Sequence, residues 1–231
     1  MLRLDWASHE AARFACKAWH YSRAMPTPPL VCIGCWEDGR FVGVVIFSRG
    51  ANRYLGSAFG LEQTQVAELS RIALSEHRAP VSRIVAIAVR MLRRHCPGLR
   101  LVVSFADPEQ GHHGGIYQAC GWTYLGTTPP SRVFVDGRGR RWHPRMVSAI
   151  GVKRVYGEPR RVARIADCRV EKTLGKHRYA LALDDELRAR LAPLAVPYPK
   201  RGREADSGRP VPTGRGGASP TRPLHLEAAR V

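Results

Sequence analysis

The chain has 231 residues, 44% of them hydrophobic, which is enough to bury the core of one or two domains. Its 37 Lys and Arg side chains outnumber 19 Asp and Glu side chains, for a formal net charge of +18. Such an excess favours a polyanionic partner, and nucleic acid is the commonest one.

Secretion and membrane signals are absent from the sequence. The first thirty residues lack a basic start followed by a long apolar run, and no stretch approaches about 18 uninterrupted apolar residues. Six Cys in a chain of this length do not form a dense disulfide framework. We therefore expect a cytoplasmic protein and exclude the secreted and membrane classes.

The first third of the chain is predicted to form one helix and three strands. Apolar side chains at helical spacing predict a helix over residues 5–19, with Ser8 as a plausible cap. Two apolar runs, 30–36 and 41–47, flank a Glu-Asp-Gly-Arg turn and predict a hairpin. Alternation over residues 65–74 predicts a further strand.

The next fifty residues continue with a helix, a buried strand, a short helix and a strand. The long helix starts at Ser82 and is closed by Pro97-Gly98. The buried strand covers 99–105, and the short helix and last strand lie near 115–120 and 122–127. This order predicts an α+β, three-layer fold with a mixed central sheet flanked by helices.

Basic residues concentrate in one segment, 132–172, which holds 12 basic and 4 acidic side chains. Apolar residues interleave with them, so we expect a folded basic surface, either simply solvated or contacting a phosphate backbone. The predicted DNA contacts are Arg138, Arg140, Arg141, Arg145, Lys153 and Arg154. Residues 1–199 are expected to form a single domain and residues 200–231 a Gly-, Pro- and Arg-rich disordered tail.

The loop before the long helix resembles an anion site. Residues 76–81 lead into Ser82, and Arg78 and Arg83 flank it. Free backbone N–H groups at a helix start, together with guanidinium groups, would suit a cofactor pyrophosphate. The alternative is that Ser82 only caps the helix.

Polar residues follow the buried strand, where α/β sheets tend to bind ligands. Ser104 and Asp107 emerge there, although Asp107 could instead cap the turn before Pro108. Adjacent glycines after His113 would let a ligand approach the backbone. Tyr117 is a candidate proton donor, or else a core residue.

Metal signals are weak. Cys32 and Cys35 form a CxxC, but in a strand they would face opposite sides, so structural zinc is not expected. A mixed nitrogen and oxygen site of the kind that suits iron is an alternative. Its candidate residues are His20, Glu68, Asp107, His112 and His113.

Residues 114–122, GGIYQACGW, resemble the helix-to-strand segment of the GNAT superfamily of N-acetyltransferases. The helix at Ser82 then corresponds to that superfamily's cofactor pyrophosphate helix. The sequence departs from the usual pattern, because HRAPV at 77–81 replaces the Gly-rich loop. The resemblance implies a GNAT-like acyltransferase fold.

Longer motifs, spread over residues 18–200, resemble the phage DNA-modification Mom family. They are WHYS at 19–22, FSRGAN at 47–52, ELSRIAL at 68–74, PVSR at 80–83, SFADPEQGHHGGIYQACGW at 104–122 and APLAVPYPKR at 192–201. This resemblance implies conversion of adenine N6 in DNA to a carbamoylmethyl (glycinamide) adduct, which shields phage DNA from host restriction. It also associates the chain with acetyl-CoA or another acyl donor, with iron, and with the host cytoplasm.

The resemblance assigns roles to matching positions. The implied catalytic residues are His20, Tyr21, Asp107 and Tyr117. The implied metal ligands are His20, Asp107 and His112. The residues expected to hold cofactor or substrate phosphate are Arg71, Arg78, Ser82, Arg83 and Ser104.

The implied partner is double-stranded DNA with the adenine flipped out of the stack. Trp19, Tyr21 or Trp142 could stack on the displaced base, unless they belong to the core. Acyl transfer from a thioester gives an amide and not an N–CH2 bond, so the chemistry needs more than a base and a thioester. A redox metal is one solution, and a homodimer is left open.

Two other functions remain open. One is a conventional acyl-CoA N-acyltransferase that acts on an amine of a small molecule or protein. The other is a DNA-binding protein on a GNAT scaffold that has lost its chemistry. Acetyl-CoA turnover without DNA would favour the first, and DNA binding without any base change would favour the second.

Overall fold

The computed structural model describes residues 1–50, 52–155 and 157–199. The predicted disordered tail, 200–231, lies outside the described residues. The strands are β1 (Leu2–Trp6), β2 (Leu30–Glu37), β3 (Arg40–Ser48), β4 (Val66–Leu74), β5 (Leu101–Ala106), β6 (Thr123–Thr127), β7 (Arg132–Asp136), β8 (Arg141–Trp142), β9 (Val147–Ser148), β10 (Val152–Val155), β11 (Glu158–Arg161), β12 (Ala163–Arg164), β13 (Cys168–Lys172) and β14 (His177–Ala182). The α-helices are α1 (His9–Trp19), α2 (Val81–His95), α3 (Gly115–Ala119) and α4 (Asp185–Leu191).

Seven strands form the central sheet, in the order β1-β2-β3-β4-β5-β14-β6. The pairing of β4 with β5 is parallel, and the other neighbouring pairs are antiparallel. Apolar residues of α2 pack on one face, whereas α1 and α4 pack on the other. This confirms the predicted α+β fold, with a mixed central sheet flanked by helices.

The start of the chain corrects one prediction. Residues 2–6 form an edge strand that pairs with β2, so α1 begins at His9 and not at residue 5. The cap at Ser8 is confirmed, since its side chain accepts a hydrogen bond from the Ala11 N–H at 3.1 Å. Long-range strand pairing outweighs the helical spacing of the first few residues.

The predicted hairpin of β2 and β3 is confirmed. Its two-residue turn is Asp38-Gly39, and both residues have positive φ, at 50° and 80°. Asp-Gly is a favoured pair for such a turn, because its backbone twist matches that of the strands. Glu37 therefore ends β2 directly beside this turn.

The sequence analysis gave no strand positions for two parts of the fold. The central strand β14 lies between β5 and β6, although residues 177–182 follow β6 by about fifty positions. Segment 132–172 folds into a three-stranded sheet, β13-β7-β8, and the hairpin β10-β11, besides the short parallel pair β12-β9. A folded basic segment was expected, and this is confirmed.

No helix in the described part of the chain is long and apolar enough to cross a membrane. Cys32 and Cys35 contact different clusters on the two faces of the sheet, as predicted for positions i and i+3 of a strand. Within the described residues, all six cysteines are free thiols.

Candidate functional site

The parallel strands β4 and β5 diverge soon after they meet. Their backbones pair only from Val66–Glu68 to Leu101–Val103, although both strands continue further. Just beyond the last pair, the Ser104 hydroxyl donates to the Leu69 carbonyl at 2.8 Å. One buried side chain thus bridges the strands where the backbone ladder stops.

Tyr117 lies beneath this opening, on α3. Its hydroxyl is 2.8 Å from Ser104 Oγ. Because the single Ser104 proton goes to a carbonyl that can only accept, the Tyr117 hydroxyl donates to Ser104 Oγ. Burial raises the pKa of Tyr117 to about 12. Tyr117 is 7% exposed, so this geometry favours a positioning role.

His20 caps the end of α1 and is 8% exposed. The Ser22 backbone N–H donates to His20 Nδ1 at 3.1 Å, and Ser22 Oγ lies 2.8 Å from the same nitrogen. A backbone N–H can only donate, so Nδ1 accepts and the neutral ring carries its proton on Nε2. Burial, Arg71 and His112 lower the pKa of His20 to about 4. At neutral pH, His20 is therefore an uncharged hydrogen-bond donor.

Three further predicted residues gather around His20. The Tyr21 ring lies 4.3 Å from the His20 ring and 5.7 Å from the His112 ring, centroid to centroid. Arg71, on β4, is close enough to affect the pKa of His20, and its guanidinium donates to the Ala24 and Ser70 carbonyls. Tyr21 is half exposed, so it is an aromatic face that a ligand could reach.

Asp107 is held by its own turn. One carboxylate oxygen accepts from the Glu109 N–H at 3.1 Å, and the other lies 3.1 Å from the Lys176 ammonium. Its backbone carbonyl accepts from the His112 N–H at 3.1 Å. Asp107 therefore caps the turn, as the alternative interpretation proposed, and orients the loop that carries His112.

The predicted metal ligands His20, Asp107 and His112 do not form a metal site. Within residues 1–50, 52–155 and 157–199, no group of three or more His, Cys, Asp or Glu could hold an ion. His20 Nδ1 accepts from a backbone N–H and Nε2 carries the ring proton, while both Asp107 oxygens have partners. These donors do not fit iron, and we derive no step through a metal.

The predicted anion loop before α2 is already occupied. The helix begins at Val81 with Pro80 as its cap, so Ser82 is its second residue and does not cap it. The Glu37 carboxylate accepts from the backbone N–H groups of Arg78 and Ala79 at 2.8 and 2.6 Å. The Arg78 guanidinium pairs with Asp38. Two backbone amides and one guanidinium group that the sequence predicted for a cofactor diphosphate therefore already have partners within the chain.

Gly114, directly before α3, lets the backbone pack closely against Tyr179. Gly114 has a φ of +85°, and a Cβ built on it would lie 2.2 Å from the Tyr179 ring. The Tyr179 hydroxyl also donates to the His113 carbonyl at 2.6 Å. The close approach that the sequence attributed to a ligand is made by Tyr179.

The predicted DNA contacts lie on the small sheets of segment 132–172 and in the turns between their strands. Arg141 is 3.1 Å from Glu109 and 3.4 Å from Glu171, so carboxylates already pair with it. Arg140 lies over the Trp142 ring at 4.1 Å, and Trp142 Nε1 donates to Asp136 at 2.8 Å. Trp142 is thus anchored, and Trp19 packs against Phe14 and Phe41.

The hairpin β10-β11 presents cations to solvent. Lys153 lies opposite Arg160, and Arg161 lies opposite Val152. These three cations and Arg154 are exposed. Lys153 donates to the Arg145 carbonyl at 2.7 Å. Arg138, in the turn between β7 and β8, is also exposed.

Sequence reasoning missed several residues that shape the site. Ser22 selects the His20 tautomer, Glu37 occupies the loop, Lys176 pairs with Asp107, and Arg160 and Arg161 complete the hairpin. Of these residues, only Arg160 and Arg161 could have been found from the sequence, since they lie in the basic segment. The others depend on contacts that spacing does not reveal.

Known proteins similar to this chain fall into two groups. The methylcarbamoylase mom of Escherichia phage Mu is 27% identical over 209 residues, covering 86% of this chain and 84% of the relative. Among solved structures, a Bacillus subtilis acetyltransferase in complex with CoA is 14% identical with a TM-score of 0.43, covering 80% of this chain and all of that one. An IAA acetyltransferase from Bacillus cereus is 12% identical with a TM-score of 0.43, covering 79% and 100%.

The TM-scores of these two structures, both below 0.5, are too low to assign a cofactor or an activity to this chain. The match to the Mom protein family is of a different kind, because it extends over residues 1–200. It includes β4, β5, α3 and the residues around His20. This chain therefore belongs to the Mom protein family.

Proposed function

We propose that this chain is a DNA-modifying transferase that adds a carbamoylmethyl group to adenine N6. In a phage, this product would protect the DNA from host restriction enzymes. Membership of the Mom family and the name of the phage Mu relative support a group-transfer enzyme. The observation that carries the proposal is the cluster of His20, Tyr21 and Arg71 beside the divergence of β4 and β5.

His20 and Tyr21 suit a flipped adenine. A neutral Nε2–H donor can bind a ring nitrogen of the base, and the exposed Tyr21 ring can stack on its face. Arg71 adds a positive charge near the same point, where a phosphate of the flipped nucleotide would bind. In the reaction, N6 forms a bond to the methylene carbon and loses a proton, and the donor's leaving group keeps its electron pair.

The hairpin β10-β11 suits double-stranded DNA. A two-stranded ribbon is narrow enough for the major groove, and exposed Arg side chains contact phosphates or guanine. Arg154, Arg160 and Arg161 are exposed on this ribbon, and the described residues give them no ion pair. Phosphate contacts here would offset the few kcal/mol that base flipping costs.

Mass spectrometry of nucleosides tests the proposal. Plasmid DNA is purified from cells that express the unmodified chain, His20→Gln or His9→Gln. We expect a carbamoylmethyl deoxyadenosine with the unmodified chain and with His9→Gln, whose ring lies exposed at the far end of α1. His20→Gln should abolish the product, because one amide cannot accept from the Ser22 N–H and at the same time present an N–H donor in the position of the imidazole Nε2.

The same experiment separates the alternatives. Unmodified deoxyadenosine beside soluble, folded protein would contradict the proposal and favour an acyltransferase that acts on another amine. DNA binding without any base change would instead favour a scaffold that has lost its chemistry. Product from His20→Gln at the level of the unmodified chain would remove His20 from the reaction.

A further inference from the structure

The loop between β4 and α2 is closed by a side chain from a distant hairpin. Glu37 lies 41 residues before Arg78, and its Oε2 accepts from the Arg78 N–H at 2.8 Å. Its Oε1 accepts from the Ala79 N–H at 2.6 Å. The next residue, Pro80, has no N–H to offer. One carboxylate thus takes the two loop amides that directly precede Pro80.

This carboxylate is charged as well as enclosed. Glu37 is only 7% exposed. The hydrogen bonds from Arg78 and Ala79 hold the pKa of Glu37 below its ordinary value, so it is an anion at neutral pH. Two N–H donors from successive residues and a carboxylate make the same type of contact as an anion bound at a helix start.

One of the two guanidinium groups beside the loop, that of Arg78, is also paired. The Arg78 guanidinium pairs with Asp38, and the terminal ammonium of Met1 pairs with the same carboxylate. An incoming diphosphate would have to displace Glu37 from its amides and would face its negative charge at close range. Like charges repel more strongly in a partly buried site than in bulk water, because the surroundings screen them less.

We propose that Glu37 is an internal occupant of the loop before α2, and that it prevents this chain from holding a coenzyme A diphosphate there. The loop that resembles a cofactor site in the sequence is thereby joined to the β2-β3 hairpin through the hydrogen bonds of Glu37. Any acyl or alkyl donor for the reaction must then bind without these two amides.

The product chemistry points in the same direction. A thioester acyl group transferred to adenine N6 would give an amide, whereas a carbamoylmethyl adduct has an N–CH2 bond. A coenzyme A thioester held at this loop is not the donor that such a bond requires. The inference on Glu37 itself concerns binding and does not depend on the proposed function.

Calorimetric titration of the full chain tests the proposal, with coenzyme A and inorganic pyrophosphate as probes. The variants are Glu37→Ala, Glu37→Gln and the matched control Glu76→Gln. Glu76 is an exposed carboxylate of the same loop, so its substitution removes one charge and leaves the amides bonded. Circular dichroism verifies that each variant is folded.

We expect the unmodified chain and Glu76→Gln to bind neither probe detectably. Glu37→Ala should bind coenzyme A at least about tenfold more tightly than the unmodified chain, with a smaller gain for Glu37→Gln. Three results would each overturn the proposal. They are coenzyme A binding by the unmodified chain that Ser82→Ala weakens, no gain on substituting Glu37, and an equal gain in Glu76→Gln.

A second measurement needs no variant. Amide hydrogen exchange of the unmodified chain should show the Arg78 and Ala79 N–H groups protected, because Glu37 holds them. Exchange at the rate of a free loop would show that Glu37 does not occupy them. That result would refute the inference even if both Glu37 variants failed to fold, and it would leave the proposed DNA modification untouched.

Discussion

The divergence of β4 and β5 and the hairpin β10-β11 place polar groups in opposite situations. At the divergence, Ser104 is 1% exposed and its hydroxyl is bonded to Leu69 and Tyr117. On the hairpin, Arg154 and Arg160 extend into solvent. The polar groups of the first region have partners within the chain, whereas Arg154 and Arg160 have no ion pair among the described residues. Internal hydrogen bonds thus hold the side chains at the divergence in place, whereas the hairpin cations would attract a polyanion over a longer range.

The largest expected loss of stability in the ordered region comes from a substitution at Gly114. Gly114→Ala places a methyl group within 2.2 Å of the buried Tyr179 ring, at a φ of +85°. We expect a loss of more than about 3 kcal/mol of unfolding free energy, measured by urea denaturation. The control is Gly111→Ala, at a φ of +71° with open space around it, which should cost much less. Equal losses would show that backbone strain, and not Tyr179, dominates.

The hairpin is expected to matter for DNA affinity and not for folding. Arg154, Arg160 and Arg161 changed together to Ala should weaken binding to duplex DNA on the order of 100-fold at low salt. The salt slope should fall by about 0.9 for each phosphate that the variant no longer neutralises. Fluorescence anisotropy over a salt series measures both quantities.

A matched triple variant controls for net charge. Arg90, Arg93 and Arg94 are exposed on α2 and carry the same total charge as the three hairpin arginines. Their change to Ala should weaken DNA binding far less. If both triple variants lose the same affinity, the whole field of the protein binds DNA and the hairpin has no special role.

Ser104 and Tyr117 allow a finer test of the ordered region. Ser104→Ala leaves the buried Tyr117 hydroxyl and the Leu69 carbonyl without this partner, so we expect a loss of about 1–3 kcal/mol. Tyr117→Phe keeps the bond from Ser104 to Leu69 and should cost about 1 kcal/mol. The double variant, measured by denaturant unfolding, should lose less than the sum. Strict additivity would show that the two hydroxyls are not coupled.

A further expected effect is a pH dependence from His20. The pKa of His20 is about 4 in the folded chain against an ordinary 6.5, so the unfolded chain binds the proton first as pH falls. The stability due to neutral His20 is complete above pH 6.5 and is lost as pH falls toward 4. Denaturant unfolding at pH 7 and pH 5 measures this loss.

The variant His20→Gln separates the pH dependence due to His20 from that of the other histidines. His20→Gln should lose less stability than the unmodified chain between these two pH values, whereas His9→Gln should behave like the unmodified chain. Nitrogen NMR shifts should also show the Nε2–H tautomer at pH 7, since Ser22 donates to Nδ1. A ring protonated on Nδ1 would refute the proposed donor.

Much of the site could be anticipated from local patterns. The Asp38-Gly39 turn, the α2 helix and the buried strand β5 follow from spacing and turn chemistry. The motif residues His20 and Tyr21 do come together with Arg71. Asp107 was given two interpretations, and the turn cap that the structure shows was one of them.

Neighbouring residues are enough to specify the local elements and the basic segment, because each depends on a short stretch of sequence. The family follows from motifs that are spread over most of the chain. The assembled sheet was needed to show that β14 lies between β5 and β6, that Ser104 bridges to Leu69, and that Glu37 fills the loop before α2. The last two contacts join residues 35 and 42 positions apart. A helix start predicts free N–H groups, but whether a distant carboxylate reaches them depends on how the strands pair.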